Sequence, residues 1–292
     1  ILEDVFVVDS GQSDFINDDV FVEFKFNDFS LNLNKNFFSI QNTSMSSFGV
    51  VTVSCEGVYK NRLSSSNNYP NFKSKSNDIS FKIFDNFYTV SGLQLKGDNF
   101  FFNRSKQPVE IRFNNRKVEY LFVSDSFQLS AGQMFAANSK FSIQNNLGSI
   151  FHPAVQFSYN DYKNKILIDR LSGQRGLNPI RNTFHGINIF ADRLEIDLID
   201  HNCLFFHYSP GRDIRVLFES DNYFDKTRYD DLSKLEFNPI LLLLQFLKDK
   251  NVEMKHTLHD FSQFTLLDIE STLNILIELE IFGLLNYNRF DQ

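Results

Sequence analysis

From residue 20 the chain alternates. Val20, Val22, Phe24 and Phe26 fall on one side, Glu23 and Lys25 on the other, and after Asn27-Asp28 the residues Phe29, Leu31 and Leu33 resume the pattern. A strand sends successive side chains to opposite faces, so a period of two predicts a half-buried β-strand. The same signature returns in ISFKI, VEIRF, VEYLFV, SFQL, KFSI, VQFSY, KILI, GINIF, LEIDL and DIRVLF. Asn, Asp, Ser and Gly separate these stretches, and those residues suit turns because they tolerate left-handed backbone angles or bond their own backbone. The expectation is a mainly β domain over residues 1–218, built as a sandwich, a barrel-like meander or a stacked β-solenoid. The phrases FFSIQNTSMSS at residue 37 and KFSIQNNLGSI at residue 140 look alike and favour solenoid rungs, although no constant period links the strands between them. Residues 61–78, rich in Ser and Asn, predict a long exposed loop.

After a connector over 219–237 the period changes to that of a helix. Asn238 suits an N-cap and Pro239 a first helical position, and Ile240, Leu243, Leu244 and Leu247 recur at the spacing of one buried face. A short middle element around Phe261 and Phe264 follows. Thr265 and Asp268 have the spacing of a capping box opening a second helix, which would bury Ile269, Leu273, Leu276 and Ile277 and stop near Gly283. LLNYNRF then reads as a strand, so residues 238–292 predict a small α+β winged-helix-like domain.

Charge removes the obvious role for such a domain. Residues 236 to 292 hold four basic and nine acidic residues, a balance of −5, and the whole chain carries −7. Glu270, Asn274 and Glu278 would occupy the solvent stripe of the second helix, where a groove-reading helix needs cations. No nucleic-acid partner is expected. No apolar run approaches the roughly 20 residues that span a bilayer as a helix, so no transmembrane segment is expected either. The 35 Phe, the abundant Asn and Lys and the lack of Trp match an AT-rich coding sequence and need no functional explanation. The chain opens on ILEDVF and closes on NRFDQ, and is expected to be a segment of something longer.

Chemistry-bearing residues concentrate in one stretch. His185, Asp192, His201 and His207 lie within RNTFHGINIFADRLEIDLIDHNCLFFHY and form the candidate polar site of a metal-dependent or carbohydrate-active hydrolase. No His-x-His or His-Glu-x-x-His spacing occurs there, so such ligands would have to converge across strands, and the favoured expectation is strand-end histidines. Walker, G-x-S-x-G, G-x-G-x-x-G and Cys-x-x-Cys patterns are absent from the chain, and no catalytic residue, cofactor or metal is expected. Arg170, Arg175 and Arg181 flank a Gly-rich turn and form a second candidate, for an anionic glycan or a lipid headgroup. Cys55 and Cys203 sit in apolar strands, which predicts two buried thiols or one bridge between them.

The phrases LNPIRNTFHGINIFADRLEIDL, RVLFESDNYFDKTRYDDL and FNPILLLLQFLKDK resemble a family of very large exported proteins of Bacteroidota with no assigned function. The matching positions are Pro179, Phe184, His185, Asp192, Leu194, Phe218, Ser220, Phe224, Arg228, Gly283, Leu285 and Tyr287, so the resemblance covers roughly residues 150 to 290. It implies a segment of an envelope-associated or secreted protein, and it brings no reaction with it. The combined expectation is a non-enzymatic structural segment whose partners are other proteins or other domains of the same polypeptide.

Overall fold

The computed structural model describes residues 5–17, 20–32, 36–62, 68–84, 86–115, 118–171, 178–200, 202–207, 215–220, 239–249, 256–281, 285 and 287. Their strands form one antiparallel sheet that follows the chain from end to end. β1 (Val5–Asn17), β2 (Val20–Asn32), β3 (Phe37–Gly49) and β4 (Val51–Arg62) pair in sequence order. Beyond β4, single long strands give way in places to two short ones laid end to end. β5 (Asn71–Ser74) pairs with residues 57–60 of β4, and β6 (Ile79–Ile83) with residues 51–52. β7 (Phe87–Lys96) spans both and is followed by β8 (Asn99–Asn103) beside β9 (Val109–Asn115). β10 (Val118–Ser124) then pairs with β9, and β11 (Ser126–Ser130) with β8.

The second half repeats this plan. The long β12 (Gln133–Asn145) and β13 (Gly148–Asn160) are followed by β14 (Lys165–Arg170) and β15 (Ile180–Asn182), laid end to end along β13. Outside those lie β16 (Ile187–Phe190) on β15 and β17 (Arg193–Asp197) on β14. The last position holds β18 (Asn202–Phe206) on β17 and β19 (Leu217–Ser220) on β16.

The breaks between short strands line up with irregularities in the long ones. β3 shifts register between Ile40 and Thr43, with Asn42 at a φ of 55°, and β12 shifts between Ala136 and Phe141. In β7 Ser91, Gly92 and Leu93 are all buried, as are His152 to Val155 of β13, so alternation fails there too. Bulges bend a strand and raise its twist. A column of them creases the sheet, and its two halves close face to face over a single aromatic core. Phe122 of β10 meets Phe157 of β13 from the opposite half at a ring separation of 4.2 Å, and Phe87 of β7 meets Tyr159 of β13 at 4.6 Å. Small hydroxyls serve the backbone freed at the crease. Thr43 Oγ1 donates to the Ile40 carbonyl at 3.3 Å, and Ser124 Oγ to that of Asn138 at 2.6 Å. Gly57 lies close to this crease, where a Cβ would come within 2.3 Å of the Lys73 carbonyl oxygen and 2.4 Å of the Phe72 ring.

Several expectations are corrected here. The solenoid alternative fails because every described pairing is antiparallel, whereas stacked solenoid rungs run parallel. The predicted loop over 61–78 contains β5 and the wholly buried Phe72; its flanking Lys and Ser mask the alternation of a strand only four residues long. β19 extends to Ser220, past the expected domain end at 218.

Among the described residues three helices follow: α1 (Pro239–Asp249), α2 (Leu258–Thr265) and α3 (Ile269–Ile281). Phe246, Leu258, Phe261 and Leu276 form their shared core. Pro239 opens α1 as expected, and Asn238 lies outside the described residues. Leu244 and Ile269 are exposed rather than buried, because Phe246 and Ile277 take the inward positions. The capping box is one helix earlier than predicted: Asp260 N donates to Thr257 Oγ1 at 3.2 Å, and Thr257 N to Asp260 Oδ2 at 2.8 Å. Thr265 instead ends α2, bonding the Phe261 carbonyl, while Asp268 alone caps α3 through Ser271. α3 docks on the sheet through Ile277 against Ala154, with Leu171 and Leu273 alongside, and Lys140 Nζ lies 3.5 Å from Glu280 Oε1.

Candidate functional site

β14, β17 and β18 end side by side in one half of the creased sheet, and the histidine-rich stretch supplies their ends. Asp169 of β14 faces Arg193 of β17 in register, and the two form a fork, Nε to Oδ1 at 2.6 Å and Nη2 to Oδ2 at 2.8 Å. One residue beyond this pair the ladder continues by backbone bonds. Arg170 N donates to the Asp192 carbonyl at 2.9 Å, and Asp192 N to that of Phe206 at 2.8 Å. These bonds align Arg170, Asp192 and His207 across three neighbouring chain segments. His207 Nδ1 donates to Asp192 Oδ2 at 3.2 Å, with both side chains largely buried.

Arg170 therefore does not sit on an exposed loop. Alternation along β14 puts it on the inner face with Ile166 and Ile168, and only 3% of it remains exposed. Burial pulls its guanidinium down to about 10, with the Asp192 carboxylate acting against that fall, so it stays protonated at neutral pH. Arg181 is half-buried in β15, and Arg175 lies outside the described residues. Of the expected anion-binding trio, then, the guanidinium of Arg170 faces inward and is committed to the neighbourhood of Asp192.

The four-residue polar stretch divides in the same way. His185 stands at the β15–β16 turn in the other half of the sheet, where its backbone N donates to Asn182 Oδ1 at 3.3 Å. His207 bonds Asp192, and His201 lies outside the described residues. Among the described residues no group of three or more His, Cys, Asp or Glu is placed to hold a metal ion. The row from Arg170 through Asp192 to His207 holds an imidazole against a carboxylate at the end of the half-sheet. A further histidine escapes the sequence reading: His152 is wholly buried at the kink of β13, where its Nδ1 accepts from Ala154 N at 3.0 Å. The following Pro153, inside an otherwise strand-like run, was the signal for that kink.

The last position of the sheet is unlike the rest. β18 pairs on one side with β17, and β19 on one side with β16. Along them Leu204, Phe206, Leu217 and Phe218 are 51%, 40%, 50% and 52% exposed. The Phe205 and Phe218 rings, centroids 6.0 Å apart, join the two short strands. Cys203 is exposed here, against the expectation of a buried thiol, and Cys55 is partly buried; both are free, so the bridge is not formed. Sequence reasoning missed this edge, although NCLFF places apolar residues on both faces, a pattern that in a half-buried strand leaves one face apolar to solvent. Among the described residues no further strand pairs with β18 or β19, and exposed apolar side chains along such an edge are what a protein partner covers.

No known protein family, curated protein or solved structure matches the chain.

Proposed function

We propose that this chain is a non-enzymatic structural and interaction segment of an envelope-associated or secreted protein, and that it contacts another protein through the β18/β19 end of its sheet. The observation that carries this reading is the exposed edge formed by Leu204, Phe206, Leu217 and Phe218. Such a surface costs free energy in water, at about 25 cal/mol per Å² of apolar area left uncovered. Envelope placement rests on the resemblance to exported Bacteroidota proteins. The three C-terminal helices are read as part of a winged-helix-like module used for packing, in keeping with their acidic balance and with the docking of α3 on the sheet.

Photo-crosslinking in the native host tests the contact. A photoreactive phenylalanine at position 204 or 218 of the full-length protein is expected to give one discrete protein adduct, and the same residue at the exposed Tyr162 none. Absence of an adduct at both edge positions, or equal labelling from position 162, overturns the proposal. Protease digestion of intact, outer-membrane-permeabilised and lysed cells tests the placement, and protection until lysis would refute it.

A further inference from the structure

A second surface lies near the middle of the sheet, on the outer face of β6, β7 and β9. Registers there place Lys82 opposite Tyr88 and Tyr88 opposite Arg112, so a lysine, a tyrosine and an arginine stand in one row across three strands. Two residues along the strands a second row follows, with Ser80 opposite Val90 and Glu110 beyond it. Both rows, with Arg104 at one side, line a concavity of about 710 Å³. Its floor is apolar: Tyr88 is 46% and Val90 41% exposed, large side chains on the face where the neighbouring positions are polar.

Its rim is charged and partly held in place. Arg112 Nη2 lies 2.8 Å from Glu110 Oε2 and its Nη1 3.0 Å from Glu119 Oε1, so two carboxylates orient the guanidinium fork. Arg104 is tied to Asp78. Lys82 Nζ lies over the Tyr88 ring, 5.4 Å from its centre, so a ligand on this face meets the ammonium and the ring together. Lys82, Arg104 and Arg112 are balanced by Glu110 and by the Asp78 and Glu119 carboxylates that pair with the two arginines, which leaves Lys82 as the lining cation that joins no ion pair among the described residues.

We propose that this concavity binds an acidic saccharide, one sugar ring lying on Tyr88 and Val90 with its carboxylate against Lys82. The C–H face of a pyranose is apolar and matches an exposed aromatic platform, while its hydroxyls need paired donors and acceptors, which the Arg112–Glu110 couple presents together. A ligand cavity of a few hundred Å³ with an apolar floor and a few polar groups that set orientation is the usual form of a small-molecule site. A bare anion would use only the rim, and a neutral sugar would leave Lys82 without a counter-charge. The site is separate from the β18/β19 edge and does not depend on the contact proposed there.

Calorimetric titration with trigalacturonate as the probe tests the inference, with maltotriose and acetate as controls. Wild-type protein is expected to bind trigalacturonate saturably and maltotriose about tenfold or more weakly, since one unsatisfied charge is worth about that factor. Tyr88→Ala and Lys82→Gln should each weaken trigalacturonate about tenfold with unchanged thermal unfolding, both side chains being exposed. Tyr88→Phe should retain binding. No saturable binding of trigalacturonate, equal binding of maltotriose, displacement of the trimer by acetate at equal concentration, or full affinity in Tyr88→Ala would each overturn the proposal.

Discussion

Arg170 and Asp192 illustrate how a charge is accommodated at the end of a core. Removing the carboxylate leaves a buried cation whose compensation is gone, which in proteins costs about 3–5 kcal/mol, whereas replacing the cation by an apolar chain of similar length is often neutral or better. Asp192→Ala is therefore expected to lose about 3–5 kcal/mol in urea unfolding, and Arg170→Met to lose less than half of that. Gly57 makes a steric demand of a different kind. Any Cβ there meets a backbone carbonyl that cannot swing away, so Gly57→Ala should destabilise by about 1–3 kcal/mol. Cys55 behaves as a core residue: burial pushes its thiol up to about 12, so maleimide at pH 8 should label it only in denaturant. At this scale part of the site was legible. Ile166, Ile168 and Arg170 share one face by simple alternation, so the inward position of Arg170 follows from KILIDR alone. Its neighbour Asp192 does not, because the two meet through pairing of β14 with β17, which no local pattern specifies.

Helix ends carry the clearest element-scale effects. Thr257 and Asp260 satisfy each other's backbone donors, and Thr257→Ala should cost about 1 kcal/mol, visible as faster amide exchange in α2. Asp268 accepts from the backbone and hydroxyl of Ser271, and those bonds hold its carboxyl below the usual range. A lowered folded-state pKa gives stability that is complete above the ordinary value near 4 and is lost as pH falls through the lowered one. Acid should accordingly loosen the start of α3, and Asp268→Asn should flatten that pH dependence of amide exchange in α3 without abolishing the cap. Sequence spacing put the capping box at Thr265 because a Thr three residues before an acid fits the motif in both places. The choice between them depends on where α2 ends, and that is set by Phe261 and Leu258 packing on Phe246.

At the scale of the molecule, stability comes from closing one half of the sheet on the other. Phe157 is wholly buried between Phe122 and Phe127, and Phe157→Ala should cost about 3–5 kcal/mol, measured by denaturant unfolding. Composition, charge and the period of two determined by themselves that the chain would be a many-stranded, mainly β protein followed by helices, because which residues can be buried in a strand or helix is a local property. They also marked the inner face of strands such as β2, while the short β5, the exposed apolar face of β18 and the kink at Pro153 went unread. Only the tertiary structure decided that the strands form one antiparallel sheet, that a column of bulges creases it, and that β18 and β19 leave an apolar edge. It likewise decided that Lys82, Tyr88 and Arg112 stand in one row. Those features depend on pairing between residues distant in sequence, where the free energy lies in contacts that no single stretch contains.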